Sequence, residues 1–228
     1  MTRIDDIQLR QDILDELDFN PRVDARTIGI GVEDGIVTLT GYVGSYAERL
    51  SAEQIVKRVT GVEAIANELG VRLPVLAERD DAGIARAAVH ALAWLTTVPK
   101  DRVKVSVTRG WVTLDGDVDW HYQKEAAEDV VDGLTGVRGV TNKVEVKSGL
   151  AHTSDVKERI EAALKRSAEV DASRIVVHTG DGKVELSGRV RSWAEREDAL
   201  NAAWSAPGVT HVVDHLTIAS PEVEAVYS

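Results

Sequence analysis

The chain has 228 residues, 43% of them hydrophobic and 29% charged, with a formal charge of −11. That composition supports a packed core and excludes global disorder, and a field of that sign disfavours binding to the phosphate backbone of nucleic acids. The absence of cysteine excludes disulfides, thiolate metal sites and cysteine nucleophiles. The stretch Met1–Asp6 has neither the basic nor the apolar segment of a secretory signal, which gives the expectation of a cytoplasmic protein. No run approaches the roughly 20 apolar residues that span a bilayer. The longest, Ala87–Leu95, is broken by His90 and has the length of a core helix.

Internal repetition organises the rest. Gly35-Ile-Val-Thr-Leu-Thr-Gly41 returns as Gly110-Trp-Val-Thr-Leu-Asp-Gly116 and as Gly182-Lys-Val-Glu-Leu-Ser-Gly188. From these anchors residues 5–72, 80–147 and 152–219 align without a gap, and ten columns are identical in all three copies. The expected domains are 1–74, 78–147 and 152–219, followed by a tail at 220–228. Leu73–Ala77 and Ser148–Ala151 serve as linkers.

Each copy opens on a helix. Leu9, Ile13 and Leu17 are spaced by four and share one face; Ile84, Ala88 and Leu92 repeat the pattern, as do Val156, Ile160 and Leu164. The period then falls to two in Ile28-x-Ile30-x-Val32 and its counterparts, predicting a half-buried strand. A tight turn follows at Gly35, Gly110 and Gly182, where glycine supplies positive φ. The second strand runs through Val37, Leu39, Gly41 and Val43; Gly116 and Gly188 are the counterparts of Gly41. A second helix is predicted from Ala52, Ile55, Val56 and Val59, and Gly61, Gly136 and Gly208 are expected to cap its end. The last strand is Ile65-x-Asn67-x-Leu69-x-Val71. The order α-β-β-α-β predicts an α+β fold: three tandem modules, each a three-stranded mixed sheet with two helices on one face and the last two strands parallel. The other sheet face is left open, and packing between modules is expected through it. Asn67, Asn142 and Asp214 are read as structural, bonding the backbone of a turn.

The hairpin pattern Gly-x-Val-x-Leu-x-Gly-x-Val and the later pattern Gly61-Val62-x-x-Ile65-x-Asn67-x-Leu69 resemble the BON domain, a family named for a bacterial osmotically inducible protein and nodulation proteins. The second pattern returns from Gly136-Val137 and from Gly208-Val209. The resemblance implies a non-enzymatic, transport-associated bacterial module linked to envelope and osmotic stress that binds phospholipid surfaces.

No catalytic constellation, cofactor motif or metal site emerges, so the chain is expected to bind rather than catalyse. Tyr46, Trp120, His121, Tyr122 and Trp193 gather after the second strand of each copy. They are either exposed contacts for a membrane, a ligand or another module, or staples over a helix start. Arg102, Lys104, Trp111 and Lys143 in the second copy, and Arg174, Val176, His178, Lys183, Val213 and His215 in the third, are expected on the open sheet faces. There they would take an anionic headgroup or pair with acidic neighbours. Arg189 and Arg191 extend that basic surface. Asp115, Asp117 and Asp119 share an outward face and read as a solvated acidic edge rather than a calcium site. His211 and His215 lie roughly 13 Å apart on one strand, too far to share an ion. The partners in view are an anionic phospholipid, a protein or a second copy of the chain. The other reading is a soluble scaffold or small-ligand binder without lipid affinity.

Overall fold

The computed structural model describes residues 5–147, 155–167 and 170–218; the linker at 148–151 and the tail lie outside them. In the first repeat, α1 (Asp6–Phe19) leads to a hairpin of β1 (Ile28–Glu33) and β2 (Ile36–Val43), then α2 (Tyr46–Lys57), β3 (Ala64–Asn67) and β4 (Gly70–Val71). The second repeat follows with α3 (Asp81–Trp94), β5 (Val103–Thr108), β6 (Trp111–Val118), α4 (His121–Asp132), β7 (Gly139–Asn142) and β8 (Glu145–Val146). The third has α5 (Val156–Arg166), β9 (Ile175–Gly180), β10 (Lys183–Val190), α6 (Trp193–Trp204) and β11 (His211–Ile218). β1 and β2 pair antiparallel, and β2 pairs with β3 in parallel; β5, β6 and β7 repeat this order, and the third sheet runs β11-β10-β9. The described residues pack into two compact units. One holds 5–74 with 189–196 and 217–218; the other holds the remainder.

The helical period places Leu9, Ile13 and Leu17 inward against Ile28, Ile30, Val37 and Leu39, all buried. Ile84, Ala88, Val112 and Leu114, and Ile160, Leu164, Val184 and Leu186, hold the equivalent places. Asp34 and Gly35 have φ of 50° and 76°, the doubly positive pair of a two-residue hairpin turn. Gly41, Gly116 and Gly188 pair with the first residue of the preceding strand, and φ there is 109° to 136°. A Cβ on Gly116 would stand 1.9 Å from the Arg102 carbonyl oxygen, so no side chain fits.

Two carboxylates clasp this frame. Asp6 on α1 accepts the backbone N–H groups of Asp34 and Gly35 at 2.9 and 3.1 Å. Asp81 on α3 accepts those of Arg109 and Gly110, both at 2.8 Å. Each ties a helix start to a turn 28 or 29 residues away.

Three expectations change. α2 is capped by Arg58 and α4 by Gly133, both in right-handed helical conformation. Gly61 and Gly136 come three residues later, at φ of 99° and 98°, where they turn the chain into the last strand. That last strand is broken in two copies: the Asn67 Oδ1 accepts from Leu69 N at 3.2 Å and the Asn142 Oδ1 from Val144 N at 3.1 Å, and each turn interrupts the ladder. Asp214 makes the same bond to Leu216 N at 2.8 Å, yet β11 stays continuous. The open sheet faces remain exposed, with Ile36, Tyr42, Trp111 and Val176 between 45% and 53% accessible.

Candidate functional site

The helix α3 has an outward face unlike that of its counterparts. Ile84 and Ala88 are fully buried, as the helical period requires, whereas Ala87, Val89, His90, Ala93 and Trp94 are exposed. Trp94 is 84% accessible and Val89 55%. Arg86 is the one charged side chain beyond the first turn of the helix. The 3-10 turn at Val75–Ala77, shortly before α3, adds exposed Val75 and Leu76. The column of Trp94 holds Phe19 in the first repeat, 85% accessible. Sequence reasoning passed over both residues. The alternation of Ile84 and Ala88 with charge-free positions was visible, but an apolar helix reads as core until its neighbours are known.

The aromatic residues after the second strands sit at helix starts and do different work. Trp193, first residue of α6, packs against the core of the first repeat, with the Lys57 ammonium 5.7 Å and the Arg196 guanidinium 4.8 Å from its ring. His121, first residue of α4, stacks on Trp204 with centroids 3.9 Å apart and planes 12° from parallel. In both contacts the same two aligned columns meet, that of Tyr46, His121 and Trp193 and that of Lys57, Asp132 and Trp204. Burial, and then the Lys124 ammonium, push the His121 imidazole down to about 4, so it is neutral at physiological pH. A cleft of about 570 Å³ opens beside the stack, lined by Trp120, Tyr122, Glu125 and Asn201 as well as the stacked pair. Tyr46 opens α2 and is half-buried.

Most of the basic side chains expected on the sheet faces hold acids. The Arg102 guanidinium donates to both oxygens of Asp119 at 2.9 Å and to Asp117 Oδ2. The Arg102 hydrogen bond holds the Asp117 carboxyl below its usual range. Lys104 stands opposite Asp115 across the hairpin. Arg174 pairs with Asp171 at 3.1 Å and Lys183 with Glu185 at 2.6 Å. Lys183 holds the Glu185 carboxyl down, with His215 and His178 adding to the effect. β10 lies between β9 and β11, so those two histidines are not on neighbouring strands. Two open-face aromatics cover glycines: Trp111 lies over Gly139 and donates to Thr141 Oγ1 at 2.8 Å, and Tyr42 lies over Gly70 with the Arg72 guanidinium 4.0 Å from its ring. A Cβ on Gly139 would meet Trp111 at 2.4 Å.

One structural column also escaped the sequence reading. Glu48 accepts from Gly44 N at 2.8 Å and from Asp24 N at 2.9 Å. Gln123 accepts from Asp119 N and Trp120 N and donates to the Thr97 carbonyl. Glu195, 3% accessible, accepts from Arg191 N at 2.6 Å. The capping pattern Ser45-x-x-Glu48, repeated as Ser192-x-x-Glu195, was the available signal.

The family pattern described as BON domain matches residues 5–72, 80–148 and 152–220. The chain is 28% identical over 148 residues to "Osmotically-inducible protein Y" of Escherichia coli (strain K12), a match covering 63% of this chain and 74% of that protein. Among solved structures it matches CdsD, described as a structural protein of the type III secretion system of Chlamydia trachomatis. Identity is 15% and the TM-score 0.26, with 95% of each chain covered. The C-terminal domain of CdsD matches at the same identity and TM-score.

Proposed function

Because the chain belongs to the BON domain family, with three copies of that domain, we propose that it is a stress-associated bacterial binding protein that docks on a phospholipid surface through the outward face of α3. It acts by binding, not catalysis. The stress association follows the name of the Escherichia coli relative. The observation that carries the docking surface is the exposed apolar stripe of Val89, Ala93 and Trp94. A lone exposed tryptophan at a helix end, beside small apolar neighbours and one arginine, suits the boundary between headgroups and acyl chains. The charge of −11 opposes attraction to an anionic surface, so the binding is driven by apolar burial.

The test is co-sedimentation of the full chain with vesicles of mixed phosphatidylcholine and phosphatidylglycerol across a salt series. The expected result is partition that persists at high salt and is lost in Val89→Asp, an exposed substitution checked for folding by circular dichroism. Absence of partition, or equal partition of the variant, overturns the reading. A concentration-dependent dimer in solution that Val89→Asp dissolves would assign the stripe to a second copy instead.

A further inference from the structure

A second hollow, of about 460 Å³, lies on the other flank of the His121–Trp204 stack and is built from α4, the turn before β8, α6 and the start of β11. Its polar wall carries Lys124, Lys143 and His211. Its apolar wall carries Val144, Val212 and Trp204. Neither Lys124 nor Lys143 has an ion-pair partner among the described residues, in a protein where Arg102, Arg174 and Lys183 all do. Glu145, the one acid on the wall, is held by Lys147 at 3.0 Å. The Lys124 field reaches into the hollow: it is one cause of the lowered His121 basicity.

Two ammonium groups without counterions, an imidazole and a flat apolar wall define one ligand chemistry. We propose that this hollow binds a small organic phosphate ester, with the phosphate between Lys124, Lys143 and His211 and its apolar body against Trp204 and the valines. Ammonium groups on flexible stems act as point charges for phosphate oxygens. The site is separate from the α3 stripe and does not depend on the docking proposed there. The ester's source is either a soluble metabolite or a lipid headgroup, and both present the same group to the lysines.

The probe is phenyl phosphate, titrated into the full chain and followed by the Trp204 indole N–H resonance, with benzyl alcohol as the neutral counterpart. The expected result is saturable binding of phenyl phosphate alone, weakened at least about tenfold in Lys124→Gln/Lys143→Gln and unchanged in Lys104→Gln, whose lysine lies on another face. No saturation by about 10 mM, or equal affinity in the double variant, overturns the proposal. Vesicles of phosphatidic acid then separate the sources. Displacement of phenyl phosphate supports a headgroup, and unimpaired binding supports a soluble ester. Trp94→Ser leaves phenyl phosphate binding unchanged, so failure here and failure of the docking reading are distinct.

Discussion

The helices α1 and α3 occupy the same place in two copies of one fold, and the faces they present to solvent are chemically unlike. Both bury their inner residues over the sheet and both end in an exposed aromatic, Phe19 or Trp94. Between these fixed points the outer residues differ. Asp12, Asp15, Glu16 and Asp18 of α1 align with Ala87, His90, Ala91 and Ala93 of α3. On α1 the acids are laced to glutamines, with Gln8 donating to Asp12 at 2.7 Å and Gln11 to Asp15 at 2.8 Å. On α3 three alanines and one histidine replace them, and no acid remains. The inner face is answerable to packing and stays constant, while the outer face is free to change, so the outer face is where the two copies diverge.

Four experiments break or sharpen that contrast, and the largest effect concerns the shared inner face. Leu17 is fully buried and Leu92, in the same column, is partly exposed. Leu17→Ala is expected to destabilise its module by about 3 kcal/mol and Leu92→Ala by about 1 kcal/mol, read from hydrogen exchange of the sheet amides in each module. Equal losses would show that the two helices are seated alike. Next in size, Trp94→Ser should weaken vesicle partition about thirtyfold, or about 2 kcal/mol, whereas Phe19→Ser should change it less than about twofold because acids surround that ring. Equal loss from both would mean that the aromatic column, not the apolar face, does the docking.

The third experiment concerns pH in the module that carries α3. One Asp132 oxygen is buried without a hydrogen-bond donor among the described residues. Burial first, then Glu128 and Asp129, push this carboxyl up to about 7. A raised carboxyl favours the folded state at low pH and loses that contribution as pH climbs from about 4 to about 7. Asp132→Asn should therefore stabilise the protein at pH 8, by about 1 kcal/mol after allowance for solvent screening, and leave it unchanged near pH 4. His121 has the opposite sense: its contribution is complete above pH 6.5 and falls away towards pH 4. A melting-temperature series across pH in the unaltered chain and in Asp132→Asn separates the two. Last and smallest, replacing Asp12 and Asp15 by Ala and His, as α3 has them, should raise vesicle partition of the Trp94→Ser protein by a fewfold at most.

Much of the frame was legible in the residues alone. Period-four leucines, period-two strands and the glycines at 35, 41 and their counterparts each have one physical solution, and backbone sterics enforce it in every copy. The Asx turns at Asn67, Asn142 and Asp214 were legible because a short amide or carboxylate oxygen reaches the backbone N–H two residues on. The charged faces were not. Arg102 reads equally as an anion site or as the partner of some acid until the hairpin register sets it beside Asp117 and Asp119, which lie 15 and 17 residues away. Trp94 was equally hidden, because Ala87–Leu95 has the composition of a buried helix and only the placement of its neighbours leaves one side bare. His121 and Trp193 were legible as aromatics in want of a partner; the partners, Trp204 and Lys57, lie in other repeats and could not be read from spacing.

The clasp between Asp81 and the turn at Arg109 and Gly110 bears on the order of events during synthesis. It closes a loop of about 30 residues, short enough for low closure entropy, before any residue of α4 is needed. A half-module of one helix and one hairpin thus has a latch of its own as the polypeptide leaves the ribosome, and the nascent chain can mature in stages of a few dozen residues. Arrested chains long enough for Val118 to have cleared the ribosome should protect the turn amides from exchange, and Asp81→Ala should abolish that protection.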